Sequence, residues 1–472
     1  MCAKSSVTGW EGSLASQEHH ENHAASGRSG GLNVFQRLVR QWESLHPYNG
    51  AQILKIQGSV DLELCRNAWL DALGALNLGV VTLSKTSYRC RRLNGEAIYH
   101  NVVECPRGTR LQQWISDELN RPFAGDDGVG VPFRPFVIQE EGHFWMGLCY
   151  QHWVADSTSI RMLIHEWFVR QFKPEAAMNR PLRIHAGGYL TLFGPHRPRS
   201  QPGRAIVSTM RWHEQFRKVR RIEDREKFRD MSLRFDLFHA PRGLIDSVCG
   251  SVRDCRATVN DVFLAAIAKV CDEFVPAECK FRRRQLAVGS IVDLRPSAGK
   301  AVGDVFDLLL GFAVVCCKLD QHRDWPALVH AIARQTESQK NGALPMSSFM
   351  RMGIGLLAGR FLSRDGMIEF YRKRVALAGA NSNVNLNRCW AGQFSGGRLL
   401  DYVRVAPTGP MTPLVFATTT FGSNLSVGLT YRPSIVSPDD APALGARFLE
   451  YLGEIASSLT RSANSRSAAQ TG

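Results

Sequence analysis

The chain has 472 residues, more than the roughly 250–300 at which a single hydrophobic core stops growing, so two lobes of about 200 residues each are expected. Its 44% hydrophobic and 21% charged residues give the balance of a globular protein and exclude general disorder. A net charge of +15 attracts anions such as phosphates, carrier proteins or lipid headgroups, but no C2H2 spacing, RNP-like aromatic strand or sustained basic helix is present, so no nucleic-acid partner is expected.

Residues 1–31 are rich in Ser, Gly, Ala, His and Glu without a hydrophobic period and read as a disordered tail. His19, His20 and His23 lie in it without a folded surrounding to orient them, so no metal site is expected there. The tail also lacks the apolar segment of a secretory signal. Twelve cysteines occur without a C-x-x-C pair, and the best apolar run, Leu308 to Cys317, falls short of the roughly 20 residues that span a bilayer. These features point to a reduced, cytoplasmic chain whose only membrane contact would be peripheral.

From Leu32 onward Val34, Phe35, Leu38, Val39, Trp42 and Leu45 recur at helical spacing and open an N-terminal lobe, residues 32–190. A second amphipathic helix covers Leu62 to Leu76, and strands are expected at Gly79 to Leu83 and Ala97 to Val103. The aromatic-rich segment Phe144 to His152 reads as a buried strand that delivers His152 at its end. Directly after it, Ile160, Leu163, Ile164, Trp167, Phe168 and Phe172 trace a helical stripe whose cap lies among Asp156, Ser157 and Thr158. The Pro-, Gly-, His- and Arg-dense stretch from Lys173 to Arg204 reads as a linker or crossover between the lobes.

A C-terminal lobe, residues 191–460, follows. Arg211 to Arg229 mixes both charge signs, for which a solvated helix face is the plainer reading and a ligand patch the functional one. Thr258-Val259-Asn260-Asp261 has the pattern of a capping box and starts a helix through Val262, Phe263, Ala266, Ile267 and Val270. Strands are expected at Leu286 to Val292, ended by Pro296, and at Leu308 to Leu319, Leu414 to Thr420 and Leu425 to Tyr431. A last helix spans Pro438 to Leu459, and residues 461–472 form a second disordered tail. Strands interleaved with helices in both halves make the fold class α/β, an α+β sandwich.

The chemistry-bearing feature is His152-x-x-x-Asp156. A histidine where a strand breaks into a helix is a candidate base, because its ordinary pKa of about 6.5 leaves it neutral yet basic at physiological pH. An aspartate at a helix start caps backbone N–H groups or binds a distant arginine. On spacing alone the pattern is common. It gains meaning because several segments match one family in order: His152-x-x-x-Asp156, Leu119-Asn120-Arg121-Pro122-Phe123 with Pro132-Phe133-Arg134, Ala257 to Val262, and Asp293-Leu294-Arg295-Pro296. Together, over roughly Leu32 to Leu459, they resemble the CoA-dependent acyltransferase superfamily, particularly its condensation-domain and wax-ester-synthase-like branches.

That resemblance implies two chloramphenicol-acetyltransferase-like lobes in a V, with a tunnel between them and His152 at its middle. It implies a donor thioester, acyl-CoA or the phosphopantetheinyl arm of an acyl carrier protein, an alcohol or amine acceptor, and no cofactor and no metal. His152 would be the base, Asp156 would hold the loop through Arg295, and the Ser157 N–H would stabilise the oxyanion. Gln151 and Trp153 beside the base are candidate substrate contacts. Two positions depart from the family pattern: Gln151 replaces a first histidine, and Ser157 replaces a glycine, a costly change if φ there is positive. A rival reading is a non-catalytic module that holds an acylated carrier or lipid. The run Lys280-Phe281-Arg282-Arg283-Arg284 reads as a solvated face or as a contact for CoA phosphates or an acidic carrier, and Phe349 to Phe361 as a core helix, an acyl channel or a lipid contact.

Overall fold

In the computed structural model, residues 28–471 are described except 85, 93–100, 124–128, 185–187, 195, 197–200, 223, 254, 277–282, 300–301, 321–323, 342 and 389–397. The histidines of the N-terminal tail, Lys280 to Arg282 of the basic run, and residues 97–100 of one expected strand lie outside the described residues.

Among the described residues the strands form three sheets. A five-stranded sheet runs in the order Leu399–Val405, Asn49–Gln57, His143–Gln151, Phe133–Glu140, Val103–Glu104. A six-stranded mixed sheet runs Leu310–Cys317, Leu286–Asp293, Gly379–Asn385, Leu414–Phe421, Asn424–Tyr431, Arg234–His239. The third, small and antiparallel, pairs Arg28–Gly31, Ser87–Arg92, Gly79–Leu83 and Val129–Gly130.

One strand crosses between the chain halves. Leu399–Val405, from the C-terminal half, lies antiparallel to Asn49–Gln57, with Arg404 opposite Gln52. It also packs on the six-stranded sheet at Gly428, where an added Cβ would sit 2.2 Å from the Arg404 carbonyl oxygen. Only glycine lets the two sheets approach at that point.

The helices form where the apolar periods place them. Val259–Phe274 is capped by Thr258: the Asp261 N–H donates to Thr258 Oγ1 at 3.3 Å, and the Thr258 N–H donates to Asp261 Oδ2 at 2.8 Å. Its residues from Asp261 to Ala268 are all buried, as expected of a helix covered on both faces. Buried side chains from Phe35 to Leu459 join into one large apolar cluster that runs through both chain halves.

The elements differ from the sequence reading in several places. Arg28–Gly31, expected in the tail, pairs with Ser87–Arg92, because backbone pairing needs no side-chain period. The final helix continues to Thr471 rather than ending at Leu459, through a run free of Gly and Pro. Within the charged stretch, helix covers Pro202–Phe216 and, separately, Arg225–Arg229. Segment 349–361 lies in the helix Leu344–Phe361, which buries Met346, Arg351, Met352 and Gly355 and leaves Ile354, Leu357 and Phe361 51%, 60% and 78% exposed. Among the described residues no helix is long and apolar enough to cross a membrane.

Candidate active site

The strand His143–Gln151 ends against Asn49–Gln57 with Gln151 opposite Asn49, and the chain then turns into the helix Ser157–Phe172. His152 falls in that turn, and its backbone N–H donates to the Tyr48 carbonyl at 3.0 Å. Its ring sits between Tyr48 and Tyr150, each with ring centroids 5.6 Å away. Gly50 makes room for this stack: a Cβ there would lie 3.0 Å from the Tyr150 ring.

His152 lines a cavity of about 130 Å³ whose walls come from both large sheets, among them Gln52, Tyr150 and Arg404 on one side and Asp293, Phe312 and Ser382 on the other. The imidazole keeps contact with that space while protein closes around the rest of it. Burial pushes its pKa below the ordinary 6.5, and the Arg404 guanidinium adds to this; its own backbone and the Asp156 carboxylate pull the other way without prevailing. At neutral pH the ring is therefore an unprotonated base. Nδ1 is buried and has no partner outside its own residue among the described residues.

Asp156 is fully buried and does not face the cavity. Its Oδ1 caps the helix, accepting the N–H groups of Thr158 at 3.1 Å and Ser159 at 3.0 Å. Its Oδ2 accepts Arg295 Nη1 at 2.5 Å and the Leu309 N–H at 2.9 Å. Burial alone would raise this carboxyl, but the Arg295 charge and these hydrogen bonds outweigh it and hold its pKa below the usual range. Arg295 Nη2 reaches Ser159 Oγ at 2.9 Å and the Asp307 carbonyl at 3.2 Å. The pair thus pins the turn carrying His152 to the end of the strand Leu286–Asp293 and to the loop before Leu310.

Ser157, the first helical residue, is absent from the positive-φ positions, so no strain attaches to a side chain here. The feared cost of replacing glycine does not arise. The Ser157 hydroxyl accepts Gln52 Nε2 and Arg404 Nε, both at 3.0 Å. Its backbone N–H has no hydrogen-bond partner among the described residues, as befits the first position of a helix.

Arg404 and Gln52 are the members of this site that the sequence reading missed. Arg404 is 5% exposed, makes no ion pair among the described residues, and donates from Nη1 to the Ser382 carbonyl at 2.9 Å and from Nη2 to Ser382 Oγ at 2.6 Å. Desolvation lowers its pKa to about 10, which still leaves it charged. Gln52 receives the Tyr402 hydroxyl on its Oε1 and spends its Nε2 on Ser157. The signal available was a polar residue interrupting an apolar strand, as in Tyr402-Val403-Arg404-Val405 and Ala51-Gln52-Ile53. Asp293 also lines the cavity, and burial together with the neighbouring Asp156 charge raises its pKa.

Of the expected substrate contacts, neither Gln151 nor Trp153 lines the cavity. Trp153 is fully buried against Tyr88, with Arg40 over its ring at 5.7 Å, so it packs the turn from behind. No residue of the helix Leu344–Phe361 lines it either. Among the described residues no group of three or more His, Cys, Asp or Glu side chains is placed to hold a metal ion.

By sequence, no family model and no curated protein matches this chain. By structure, it superposes on TRI3 trichothecene 15-O-acetyltransferase from Fusarium sporotrichioides with a TM-score of 0.66 and 10% identity, over 92% of this chain and 98% of that one. The EpoB cyclization-docking bidomain of a nonribosomal peptide synthetase from Sorangium cellulosum matches with a TM-score of 0.63 and 11% identity, over 94% and 92%. The chain has the fold of these two structures. The condensation domain of the monacolin K polyketide synthase MokA shares this fold as well, with a TM-score of 0.61 and 11% identity over 91% of this chain and 98% of that one. At such identities the likeness concerns the fold alone, and the chemistry of this chain has to be argued from its site.

Proposed function

We propose that this protein transfers an acyl group from a thioester to an alcohol or amine, with His152 as general base. The observation that carries the reading is an imidazole at the wall of a cavity enclosed by two sheets, beside a helix start whose Ser157 N–H has no partner among the described residues.

In the proposed reaction an imidazole nitrogen takes the proton of the acceptor O–H or N–H as that atom attacks the thioester carbonyl. The new C–O or C–N bond places negative charge on the carbonyl oxygen. That charge is stabilised by the Ser157 N–H at the positive end of the helix and by the nearby Arg404 cation. Collapse of the intermediate breaks the C–S bond, and the leaving thiolate takes the proton from the imidazolium. Protons and electrons balance without a redox cofactor. Asp156 and Arg295 act only by holding the turn.

The donor is proposed to be acyl-CoA, with a carrier-bound phosphopantetheine thioester as the competing source, and the site of action to be the cytoplasm. The test is thiol release from a panel of acyl-CoAs, with and without alcohols and amines. Wild type should outpace His152→Ala by roughly 100- to 10,000-fold, the usual contribution of a positioned base. Equal rates in the two proteins would leave only a binding role for the cavity.

A further inference from the structure

The helix Leu344–Phe361 is buried over its first turns and bare toward its end. Its charged residues are two arginines, Arg351 and Arg360, and it holds no Asp or Glu. One side packs on the helix Val34–Glu43, where Leu38 and Gln41 lie over Gly355 and Gly359. The residues it exposes are Ile354, Leu357, Arg360 and Phe361. The three apolar ones follow at i, i+3 and i+7, a single stripe along the helix, and Leu362 directly after it is exposed as well. Phe361, at 78%, is the most exposed large apolar side chain among the described residues.

The neighbouring helix extends this apolar character. Pro202–Phe216 lies against the first half of Leu344–Phe361, with Ala205 in one apolar cluster with Met346, and it exposes Ile206, Val207 and Met210. Seven of the twelve exposed large apolar side chains among the described residues therefore belong to these two helices and to Leu362. Single exposed apolar residues are ordinary, but such a gathering on one helix pair marks an interaction surface.

Cations frame the stripe. Arg360 sits within it, Arg364 opens the next helix, and Arg37 lies one turn before Gln41 on the packed side of Val34–Glu43; all three are exposed. The two acids closest along the chain, Glu214 and Asp365, are paired with Lys218 at 3.6 Å and Arg229 at 2.6 Å. An apolar stripe set among arginines suits the headgroup layer of an anionic bilayer, with apolar side chains at the acyl boundary and guanidinium groups among the phosphates. A second copy of this chain suits it poorly, because a two-fold contact would set the same arginines of both copies against one another, and a net charge of +15 adds to the repulsion. The stripe is also a ridge: Ile354, Leu357 and Phe361 line neither the His152 cavity nor the cleft of about 900 Å³ beside Trp325–Asn341.

We propose that the bare end of Leu344–Phe361 docks the protein on an anionic lipid surface, with Leu357 and Phe361 inserted and Arg37, Arg360 and Arg364 on the headgroup phosphates. Trp212, on the adjoining helix, lines the His152 cavity, so docking holds the reaction site close to the lipid. The proposal does not rest on the thioester-transfer reading, since association is measured without turnover. The experiment is co-sedimentation of the full chain with vesicles of phosphatidylcholine, with and without phosphatidylserine, at low and raised salt. Wild type is compared with Phe361→Asp and with the double variant Arg37→Glu/Arg360→Glu. All three substitutions are at exposed positions, and equal urea midpoints verify that the fold is kept.

Wild type should partition onto the phosphatidylserine vesicles, less onto phosphatidylcholine alone, and less again as salt rises. Phe361→Asp should weaken the partition roughly 10- to 100-fold, the scale of leaving one large apolar side chain in water. The double charge reversal should weaken it at least about 10-fold on the phosphatidylserine vesicles and little on phosphatidylcholine. No binding of wild type to either vesicle, or equal binding by wild type and both variants, overturns the proposal. Equal binding to the two lipid compositions overturns it too, because the choice of an anionic surface rests on the arginines. A dimer of wild type in lipid-free light scattering that Phe361→Asp converts to monomer would assign the face to a second copy instead.

Discussion

Replacing Asp156 by asparagine removes one charge and leaves the backbone geometry of the turn unaltered. Asparagine still caps the helix through its side-chain oxygen, so the Thr158 and Ser159 N–H groups keep a partner. The ion pair with Arg295 is lost, and Arg295, 7% exposed, is then a buried cation left with only the longer 3.5 Å contact to Asp293. Breaking a buried pair by removing one partner costs about 3–5 kcal/mol. Asp156→Ala should cost about 1 kcal/mol more, because the cap goes as well. Combining Asp156→Ala with Arg295→Met removes both charges, and the double variant should be less destabilised than the two single losses added together, by at least about 1 kcal/mol. The assay is urea unfolding followed by tryptophan fluorescence, comparing midpoints among variants with equal slopes. A loss below about 1 kcal/mol for Asp156→Asn, or additive losses within about 0.5 kcal/mol, would refute the structural role assigned to the pair. The Asp156 contribution follows pH in a defined direction: its folded-state pKa is depressed, so the stabilisation is present above the ordinary value of 3.8 and is lost as pH falls through the lower folded value.

Because burial lowers the His152 pKa, the acid limb of kcat/KM should fall below pH 6.5; a limb above 6.5 would contradict the neutral, buried base. The same shift makes folding stability rise with pH between the depressed value and 6.5, a component that His152→Gln should remove from a stability-against-pH series. Arg404→Met should lower kcat by roughly 10-fold or more with little change in donor KM, since the residue is proposed to act on developing charge; an effect confined to KM would move it to ground-state binding. Ser157→Gly keeps the backbone N–H and loses only the hydroxyl contacts to Gln52 and Arg404, so steady-state kinetics should show kcat falling less than for Arg404→Met. In a cavity of about 130 Å³ acetyl-CoA should be turned over faster than palmitoyl-CoA, as measured by thiol release; equal rates would contradict the small cavity as the acyl site.

The sequence by itself determined the local elements around the base. The aromatic strand, the break at His152, the Asp156 cap and the Thr258 capping box all rest on interactions within a few residues, and their patterns are written consecutively in the chain. The ordered motifs also pointed to the superfamily fold and to Arg295 as the partner of Asp156, a contact across 139 positions that no local pattern specifies. What only the tertiary structure decided was which side chains share the cavity. Trp153 stands next to the base in sequence yet faces the core, because successive residues in a turn diverge, whereas Arg404 reaches Ser157 from 247 positions away on a strand that crosses between sheets.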